Sequence, residues 1–423
     1  MRNIRKIGVA AMAAAMVLTV ASCSSSSSGS AAPSKELSVW IPSDDSGRVA
    51  AYIAAFNTSH PGYTVTLRQI PFAQYDNALG QAFRAGQGPD IAQINGTTFP
   101  SFASKGYLQP IVPIVGDTGE LATANFYPNL YQAAAFDGKQ LSLPIDTGTR
   151  VMQYNKKLLA KAGVAPFGET TSYADLLSAA QKVRALGDKY QGFCYVGGDK
   201  WYTVNSNAGP FVIQSGGAFM NKEQTKATLD TPEAEAGFNF FKSMAATGDK
   251  SNLVATASST CVEGFGAGTV GMQFDGFWDI PSKDKASATD FELGQTMPKD
   301  KTTYSSTGGW VLGVPTYVKS DKFDVLKTFV NDMYAPKNIV QFTGLMPATK
   351  SGRDAATALK APQYDIYWKI LNENANNPIP LNANLVAQAN LLMSTMQSVI
   401  QGTQSTKAAL AQAQTAFDAT LTK

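Results

Sequence analysis

The chain has 423 residues, 44% of them hydrophobic, and a formal net charge of +3. This composition is typical of a globular protein, excludes a disordered one, and at this length favours more than one lobe. The excess of positive charge comes from Arg2, Arg5 and Lys6, because the remaining 32 basic side chains equal the 32 acidic ones in number. We therefore predict no nucleic-acid partner, since such a partner needs a clustered basic surface.

Residues 1–22 have the pattern of a secretory signal. A basic start is followed by the apolar run Val9–Ala21, which is shorter than the ~20 residues that a stable membrane-spanning helix needs. Val20-Ala21-Ser22-Cys23 resembles the bacterial lipobox, after which Cys23 would become the lipidated first residue. Ordinary secretion, with Cys23 removed or idle, is the alternative.

The Ser-rich segment 23–36 predicts a flexible tether with a reach of ~20 Å. The protein is then extracytoplasmic and anchored to the bacterial cell membrane by Cys23, and it touches the membrane only through its lipid anchor.

The first hundred residues after the tether alternate between strand and helix patterns. Val49, Tyr52, Ile53 and Phe56 recur at helical spacing, which predicts an amphipathic helix. The predicted order is strand 35–41, helix 47–59, strand 63–70, helix 73–85 and strand 91–95. Such alternation favours a parallel sheet with helices on its faces.

The later chain continues the mixture of strands and helices. Ser172 and Gly187 are a plausible cap and stop for one helix, and Thr231 and Pro232 begin another. A strand pair and a helix are predicted in 138–146 and 148–163, and further strands at 189–196, 270–278 and 308–315. The last forty residues have a helical pattern.

Cys194 and Cys261 remain once Cys23 is assigned to the anchor. An even pair in an exported protein favours a disulfide. Two separate buried thiols are the alternative.

Six blocks, in their order along the chain, together resemble the family 1 extracellular solute-binding proteins, the sugar-binding receptors of ABC importers with the architecture of maltose-binding protein. The blocks are FRAGQGPDIAQING…FASKGYLQPI at 83–111, GKQLSLPIDTGTRVMQYNKKLLAKAGV at 138–164, SGGAFMNKEQTKATLDTPEAEAGFNFFKSM at 215–244, FGAGTVGMQFDGFWDI at 265–280, GGWVLGVP at 308–315 and LMPATKSG at 345–352. The likeness runs from about residue 37 to residue 423.

The resemblance implies an α/β fold of the two-lobe periplasmic-binding-protein type, similar to type II. Its three crossings would lie near Pro144–Asp146, Phe291–Pro298 and Leu345–Pro347, and hinge bending would close the lobes on a ligand. Residues 37–145 and 292–345 would form lobe 1, and residues 146–291 and 346–423 lobe 2. The implied function is capture of a sugar or oligosaccharide and its delivery to the permease of an ABC transporter. We expect a monomer that has no cofactor or bound metal and does no catalysis.

A sugar site needs polar groups for the hydroxyls and aromatic rings for the C–H faces. On this basis the candidate ligand-binding residues are Asp44, Asp45, Asn95, Thr97, Asp146, Thr149, Trp201, Tyr202, Asn205, Asn207, Asp275, Trp278 and Trp310. Helix capping is the alternative for the first four, and plain packing on the lobe surface is the alternative for the aromatic pair at 201–202. Trp278 is the strongest candidate, because a matching aromatic residue in the family stacks on sugar. Arg150 could pair with a sugar hydroxyl or with a structural carboxylate.

Two other functions remain open at this point. A lipid-anchored exported glycoside hydrolase would need a pair of carboxylates, and no motif singles one out. His60 is the only histidine and follows a helix in a turn, which argues against His-dependent catalysis and His-based metal sites. The same fold could also bind a non-sugar solute such as a polyamine, a metal or a peptide.

Overall fold

The computed structural model describes residues 34–44, 46–279, 292–344, 346–359, 364–373 and 384–421. Its strands form two five-stranded sheets and one two-stranded ribbon. The strands are β1 (Glu36–Pro42), β2 (Thr64–Ile70), β3 (Ile91–Asn95), β4 (Ala135–Phe136), β5 (Lys139–Gln140), β6 (Ser142–Pro144), β7 (Arg150–Asn155), β8 (Thr170–Ser172), β9 (Gln191–Cys194), β10 (Val270–Gly276), β11 (Leu293–Lys299) and β12 (Trp310–Gly313).

Helices connect most of these strands. They are α1 (Arg48–Ser59), α2 (Phe72–Ala85), α3 (Phe99–Ala103), α4 (Val112–Val115), α5 (Pro128–Ala133), α6 (Lys156–Lys161), α7 (Tyr173–Arg184), α8 (Lys200–Asn205), α9 (Ala208–Gln214), α10 (Pro232–Ala245), α11 (Ser259–Gly266), α12 (Phe323–Met333), α13 (Pro336–Thr343), α14 (Lys350–Thr357), α15 (Asp365–Glu373), α16 (Leu385–Gln401) and α17 (Thr406–Leu421). The predicted caps form, because the Ser172 and Thr231 side chains accept hydrogen bonds from the first turns of α7 and α10.

The first sheet has the strand order β2-β1-β3-β12-β6. β1 pairs in parallel with β2 and with β3, as the alternating strand and helix patterns predicted. Leu37, Val39 and Ile41 alternate along β1 and are buried on one face, under α1 and α12. α2 covers the opposite face through Tyr75 and Leu79. The first lobe therefore has an apolar core on each side of its sheet.

The second sheet has the strand order β8-β11-β7-β10-β9. Its central strands are antiparallel, so that Arg150 at the start of β7 lies opposite Gly276 at the end of β10. A disulfide joins Cys194 of β9 to Cys261 of α11, with their Cα atoms 5.6 Å apart. Both cysteines are buried in a small apolar cluster with Phe265. The disulfide thus fastens α11 to an edge strand of this sheet.

The crossing predicted near Phe291–Pro298 lies elsewhere. β11 pairs with β7 and β8 inside the second sheet, so the chain crosses at 300–309, between β11 and β12. Gly294 explains the difference, because a Cβ atom there would lie 2.2 Å from the Tyr154 ring. The missing side chain lets β11 pack directly on the second lobe. Residues 293–299 therefore belong to lobe 2 rather than to lobe 1.

The start of the last segment also differs from the prediction. Pro347 forms a β-bridge with Asp146, beside the first crossing at 145–149. However, α14 then packs on the first lobe, where Lys350 donates a 2.7 Å hydrogen bond to the Ala124 carbonyl. The return to the second lobe comes with α15, where the Tyr367 hydroxyl accepts from Gln153 of β7 at 2.8 Å. Residues 348–357 thus belong to lobe 1 rather than to lobe 2.

The tether is shorter than predicted at its folded end. The Ser34 backbone N–H donates to the Asp321 carbonyl at 2.8 Å, and Glu36 is the first residue of β1. The predicted signal, Cys23 and the tether up to residue 33 lie outside the described residues, as does Asp45. Among the helices that the structure describes, none has the length and apolar character to cross a membrane.

Candidate ligand-binding cleft

A cleft lies between α2 of the first lobe and α8 of the second. β12 of the first sheet contributes its first residue to the same space. The lining residues are Phe72, Ala73, Tyr75, Asp76, Asn77, Asp199, Lys200, Trp201 and Trp310. Aromatic rings and polar groups thus line the same space.

Three rings of the first lobe, Phe72, Tyr75 and Trp310, form what we call the aromatic wall. Phe72 and Tyr75 meet the Trp310 ring edge to face, with centroids 6.2 Å and 6.3 Å away. The Tyr75 hydroxyl is fixed because its one proton is shared between the backbone carbonyls of Trp40 and Gln93, which lie 2.8 Å and 2.7 Å away. Phe72 stays 40% exposed at the start of α2. The wall is therefore rigid at its base and apolar at its rim.

Asp76 faces Asp199, Lys200 and Trp201 of the second lobe across the cleft. Its carboxylate accepts a 3.3 Å hydrogen bond from the Thr98 hydroxyl. Burial raises the pKa of Asp76, although the charge of Lys200 acts in the opposite direction. The cleft thus holds a carboxylate, and hydrogen bonds to a charged acceptor are stronger than those to a neutral one.

Trp201 is held by the cap of its own helix. Asp199 Oδ1 accepts from the backbone N–H groups of Trp201 at 2.8 Å and of Tyr202 at 3.0 Å, which satisfies two free donors at the start of α8. The Trp201 side chain is only 6% exposed and belongs to the core of the second lobe. Its position in the cleft is therefore fixed by the fold.

A second group of side chains, which we call the arginine wall, consists of Arg150, Ser206, Ser306 and Trp278. The guanidinium donates from Nε to the Ser206 hydroxyl at 2.9 Å and from Nη1 to the Ser306 hydroxyl at 3.1 Å. It also lies 5.0 Å from the centre of the Trp278 ring, within reach of a cation–π contact. A fixed positive charge thus lies beside an aromatic ring that is 45% exposed.

The Trp278 ring rests on two glycines. A Cβ atom on Gly276 would lie 2.3 Å from the ring, and one on Gly148 would lie 2.7 Å from it. Since real Cβ atoms do not approach so closely, only glycine at both positions lets the ring lie against the backbone of β10 and of the first crossing. The two glycines therefore set the position of Trp278, the strongest candidate for sugar binding in the sequence analysis.

Asp146 lies at the first crossing. Its Oδ1 accepts the backbone N–H of Trp310 at 2.7 Å. Burial raises the pKa of Asp146 to about 7, against the lowering effects of this hydrogen bond and of the Arg48 charge. The side chain thus ties the first crossing to the strand that carries the aromatic wall.

Two of the candidate residues, Trp201 and Trp310, line the cleft. Of the others, Tyr202 is half-buried on α8, Trp278 is in the arginine wall and Asp146 supports Trp310. Their common role as ligand contacts stays a prediction.

Other candidates have local structural partners. Asp44 accepts from the Val49 N–H at 2.9 Å. Burial pushes the pKa of Asp44 up, but hydrogen bonds from Ser46 and Val49 and the Arg48 charge hold it below its usual value. Asn95 accepts from the Thr97 N–H at 2.9 Å within its own turn. These contacts are those expected from helix capping and turn formation.

The remaining candidates are buried. Thr149 donates to the Ser305 hydroxyl at 2.7 Å, and Asn207 donates to the Val196 carbonyl at 2.8 Å. Asp275 and Asn205 are 6% and 8% exposed. These side chains support the cleft from inside rather than line it.

Sequence reasoning missed Phe72, Asp76 and Lys200. Phe72 and Asp76 occupy the first turns of the helix after β2, the position at which an α/β cleft collects side chains. Lys200 directly precedes the chosen Trp201. A position directly after a predicted strand was therefore the signal that could have identified Phe72 and Asp76. The sequence analysis selected mainly tryptophans and amides and so did not select these three residues.

Solved structures share this fold. A solute-binding protein of an ABC transporter from Thermotoga lettingae, bound with alpha-D-tagatose, matches with a TM-score of 0.79 and 23% identity over 92% of this chain and 100% of that one. The GacH receptor of Streptomyces glaucescens, solved unliganded and with acarbose, matches with a TM-score of 0.79 and 21% identity over 92% of this chain and 98% of that one. These likenesses show the two-lobe fold.

Curated relatives are similar in sequence. A putative binding protein of Brucella abortus (strain 2308) is 25% identical over 70% of this chain and 71% of its own length. The diacetylchitobiose binding protein DasA of Streptomyces coelicolor is 27% identical over 61% of this chain and 60% of its own length. The sn-glycerol-3-phosphate-binding periplasmic protein UgpB of Escherichia coli (strain K12) is 24% identical over 71% and 70%.

The names of these relatives describe solute-binding proteins, which favours a receptor over the glycoside hydrolase alternative. The sequence profile described as Bacterial extracellular solute-binding protein matches residues 43–340. That match spans most of the chain, so this binding protein belongs to the bacterial extracellular solute-binding protein family.

Proposed function

We propose that this protein captures a sugar or short oligosaccharide in the cleft and delivers it to the permease of an ABC transporter. The observation that carries the proposal is the aromatic wall, facing polar side chains across one cleft. Sugars present C–H faces to rings and hydroxyls to hydrogen-bonding groups, so this combination suits them.

We take the ligand contacts to come from both walls. Trp310 and Phe72 would pack on one face of the sugar, and Trp201 and Trp278 would offer rings from the second lobe. Asp76 and Lys200 would supply a charged acceptor and donor, which make stronger hydrogen bonds to hydroxyls than neutral groups do. The ligands named for DasA, for GacH and for the Thermotoga protein are carbohydrates or carbohydrate-like, which supports this class.

We also propose that lipidated Cys23 holds the receptor at the outer face of the cell membrane, as a monomer. A tether that ends at residue 33 would keep the receptor close to its transporter and raise its local concentration there. Fractionation of cells tests the anchor: the wild-type chain should be in the membrane fraction, and Cys23→Ala should be released. Wild-type protein in the soluble fraction would contradict the anchor without affecting the binding proposal.

A thermal-shift screen of the purified full chain tests the ligand class. Binding to the folded state raises the melting temperature by mass action, so at least one mono- or oligosaccharide should raise it in proportion to log concentration. The sugar should be recovered unchanged, because the protein is a receptor. A panel in which no carbohydrate shifts the melting temperature would contradict the proposal.

A phosphorylated polyol is the second candidate. Lys200 lines the cleft, so the site holds a cation that could pair with a phosphate. The match with UgpB points the same way. If sn-glycerol 3-phosphate shifts the melting temperature and all neutral sugars fail, this second function replaces the first.

A further inference from the structure

Three glutamines lie side by side across the centre of the second sheet. Gln153 of β7 is paired in register with Gln273 of β10 on one side and with Gln295 of β11 on the other. Directly paired residues project from the same face of a sheet, so the three side chains share one face. Gln153 is fully buried, and Gln273 is 2% exposed. Because a buried amide is costly unless its hydrogen bonds are made, this row needs specific partners.

The Gln153 amide connects two strands and a helix. Its Nε2 lies 2.7 Å from the Gly276 carbonyl, 2.8 Å from the Tyr367 hydroxyl and 3.3 Å from the Asp275 carbonyl. Its Oε1 accepts from Gln273 Nε2 at 2.8 Å. Since carbonyl oxygens only accept, the amide nitrogen must face them, which fixes the orientation of the side chain. One side chain of β7 therefore ties the end of β10 to α15.

The glycine held in this way supports the ring of Trp278. Alternation along β10 places Gly276 on the face opposite Gln273, and a Cβ atom on Gly276 would lie 2.3 Å from the Trp278 ring. The Gly276 N–H is also fixed, because it donates to Asp275 Oδ1 at 2.8 Å. The ring thus lies on one face of the strand end, while the Gln153 amide holds the same backbone from the other face.

A second contact runs from α15 to the same ring. The Tyr367 ring meets Phe277 edge to face at 6.1 Å, and Phe277 meets the Trp278 ring edge to face at 5.2 Å. Tyr367 is fully buried, and Phe277 is 8% exposed. Tyr367 therefore reaches the Trp278 ring both through its hydroxyl, by way of Gln153, and through its own ring.

We propose that Gln153 and Tyr367 are positioning residues that hold the Trp278 ring beside Arg150. Trp278 is 45% exposed, so its orientation depends on the contacts of its inner face. A ring that is already held in one orientation loses less conformational entropy when a ligand packs on it. This consequence for affinity rests on the proposed function, whereas the positioning of the ring does not.

Fluorine NMR of the full chain labelled with 5-fluorotryptophan, without ligand, tests the positioning. The chain has five tryptophans, and replacement of each in turn by phenylalanine assigns its resonance. Gln153→Met keeps the length of the side chain but deletes its hydrogen bonds, so it should shift and broaden the Trp278 resonance. The Trp40 and Trp310 resonances of the first lobe should stay unchanged.

Gln388→Met is the matched control. Gln388 is also a fully buried glutamine, and it donates to the Thr420 hydroxyl at 2.9 Å, between α16 and α17. This variant deletes a buried amide elsewhere in the chain, so it should leave the Trp278 resonance unchanged. A Trp278 resonance that Gln153→Met leaves in place, or that both variants move equally, would overturn the proposal.

Tyr367→Phe keeps the test decisive if Gln153→Met fails to fold. It deletes one hydroxyl that accepts from Gln153 and retains the ring against Phe277. The Trp278 resonance should still move, and an unchanged resonance in this variant would count against the proposal in the same way.

Titration with the sugar found in the screen measures the consequence for binding. Gln153→Met should weaken affinity roughly two- to tenfold, the range of one net hydrogen bond. It should have no further effect once Trp278→Ala has removed the ring, and an equal loss in both backgrounds would contradict positioning through Trp278. A chain that binds no sugar but shows the shift of the Trp278 resonance would keep the positioning role and contradict the proposed function.

Discussion

The aromatic wall and the arginine wall differ in the groups that hold their tryptophan rings in place. In the first lobe Trp310 is packed by two other rings, and its backbone N–H is fixed by Asp146. In the second lobe Trp278 rests on glycine backbone and has a guanidinium as its neighbour. The comparison teaches that one wall offers apolar area, whereas the other offers a placed positive charge beside a ring.

The two lobes also differ in how they are held together. The second lobe has a disulfide between an edge strand and α11, and both remaining cysteines of the chain are used in it. The first lobe depends on apolar packing on both faces of its sheet. The experiments below ask whether each difference has the consequence that the structure implies.

The largest expected effect comes from loss of the disulfide. The two cysteines are 67 residues apart, and the chain-entropy argument gives a loss of about 4 kcal/mol in the free energy of unfolding for Cys194→Ser. Hydrogen exchange should rise in β9 and α11 and remain unchanged in β1 and α2. Cys261→Ser should behave identically. An equal rise of hydrogen exchange in both lobes would contradict the conclusion that the disulfide stabilises the second lobe alone.

The next effect concerns sugar affinity. Trp310→Ala removes the central ring of the aromatic wall and should weaken binding of the sugar found in the screen by roughly 1–3 kcal/mol, or about ten- to a hundredfold. Calorimetric titration measures it, and Trp310→Phe should retain part of the affinity. Unchanged affinity in Trp310→Ala would show that the aromatic wall does not contribute to sugar binding.

A smaller effect on sugar affinity tests whether glycine is needed beneath the Trp278 ring, as distinct from a general effect of a glycine substitution on the backbone. Gly276→Ala should displace the Trp278 ring and weaken sugar binding by about 1 kcal/mol, since one contact is misplaced rather than removed. Gly308→Ala is the matched control, because a Cβ atom there would meet nothing within 4 Å. Quenching of tryptophan fluorescence should rise only in Gly276→Ala. The same response from both variants would contradict the support role.

The last expected effect is a pH dependence at Asp146, between the two walls. Burial raises its pKa to about 7 in the folded protein, whereas an unfolded aspartate titrates near about 3.9. The folded state therefore holds the extra proton between these values, so this residue's contribution to stability falls as pH rises from about 4 to about 7 and is constant above.

Asp146→Asn should remove that slope while keeping an oxygen that can accept from Trp310. Calorimetric melting at several pH values, with wild type and variant compared at each, measures it. Parallel curves for the two proteins would show that Asp146 does not titrate in this window.

Much of the fold could be predicted because hydrophobic period and capping residues are local signals. The alternation in β1 and the caps Ser172 and Thr231 are examples. The middle crossing could not be placed, because the assignment of β11 depends on Gly294 meeting Tyr154, residues 140 positions apart in the chain. A contact of this kind leaves no mark in the local pattern.

The site was harder to predict than the fold. Tryptophans chosen as candidates for stacking on sugar reached the cleft, as Trp201 and Trp310 show. Thr149 and Asn207 have suitable chemistry but point to interior partners, and Asp76 becomes a cleft residue because α8 of the other lobe faces it. Which polar groups line a cleft depends on how two lobes meet, and that is fixed by long-range packing.

A crystal structure of the protein with the tightest-binding carbohydrate from the screen tests the central claim most directly. We expect the sugar between the two lobes, with one ring face on Trp310 or Phe72 and hydroxyls bonded to side chains of both lobes. Sugar density outside the cleft, or in the cleft without contact to any aromatic ring, would contradict the account.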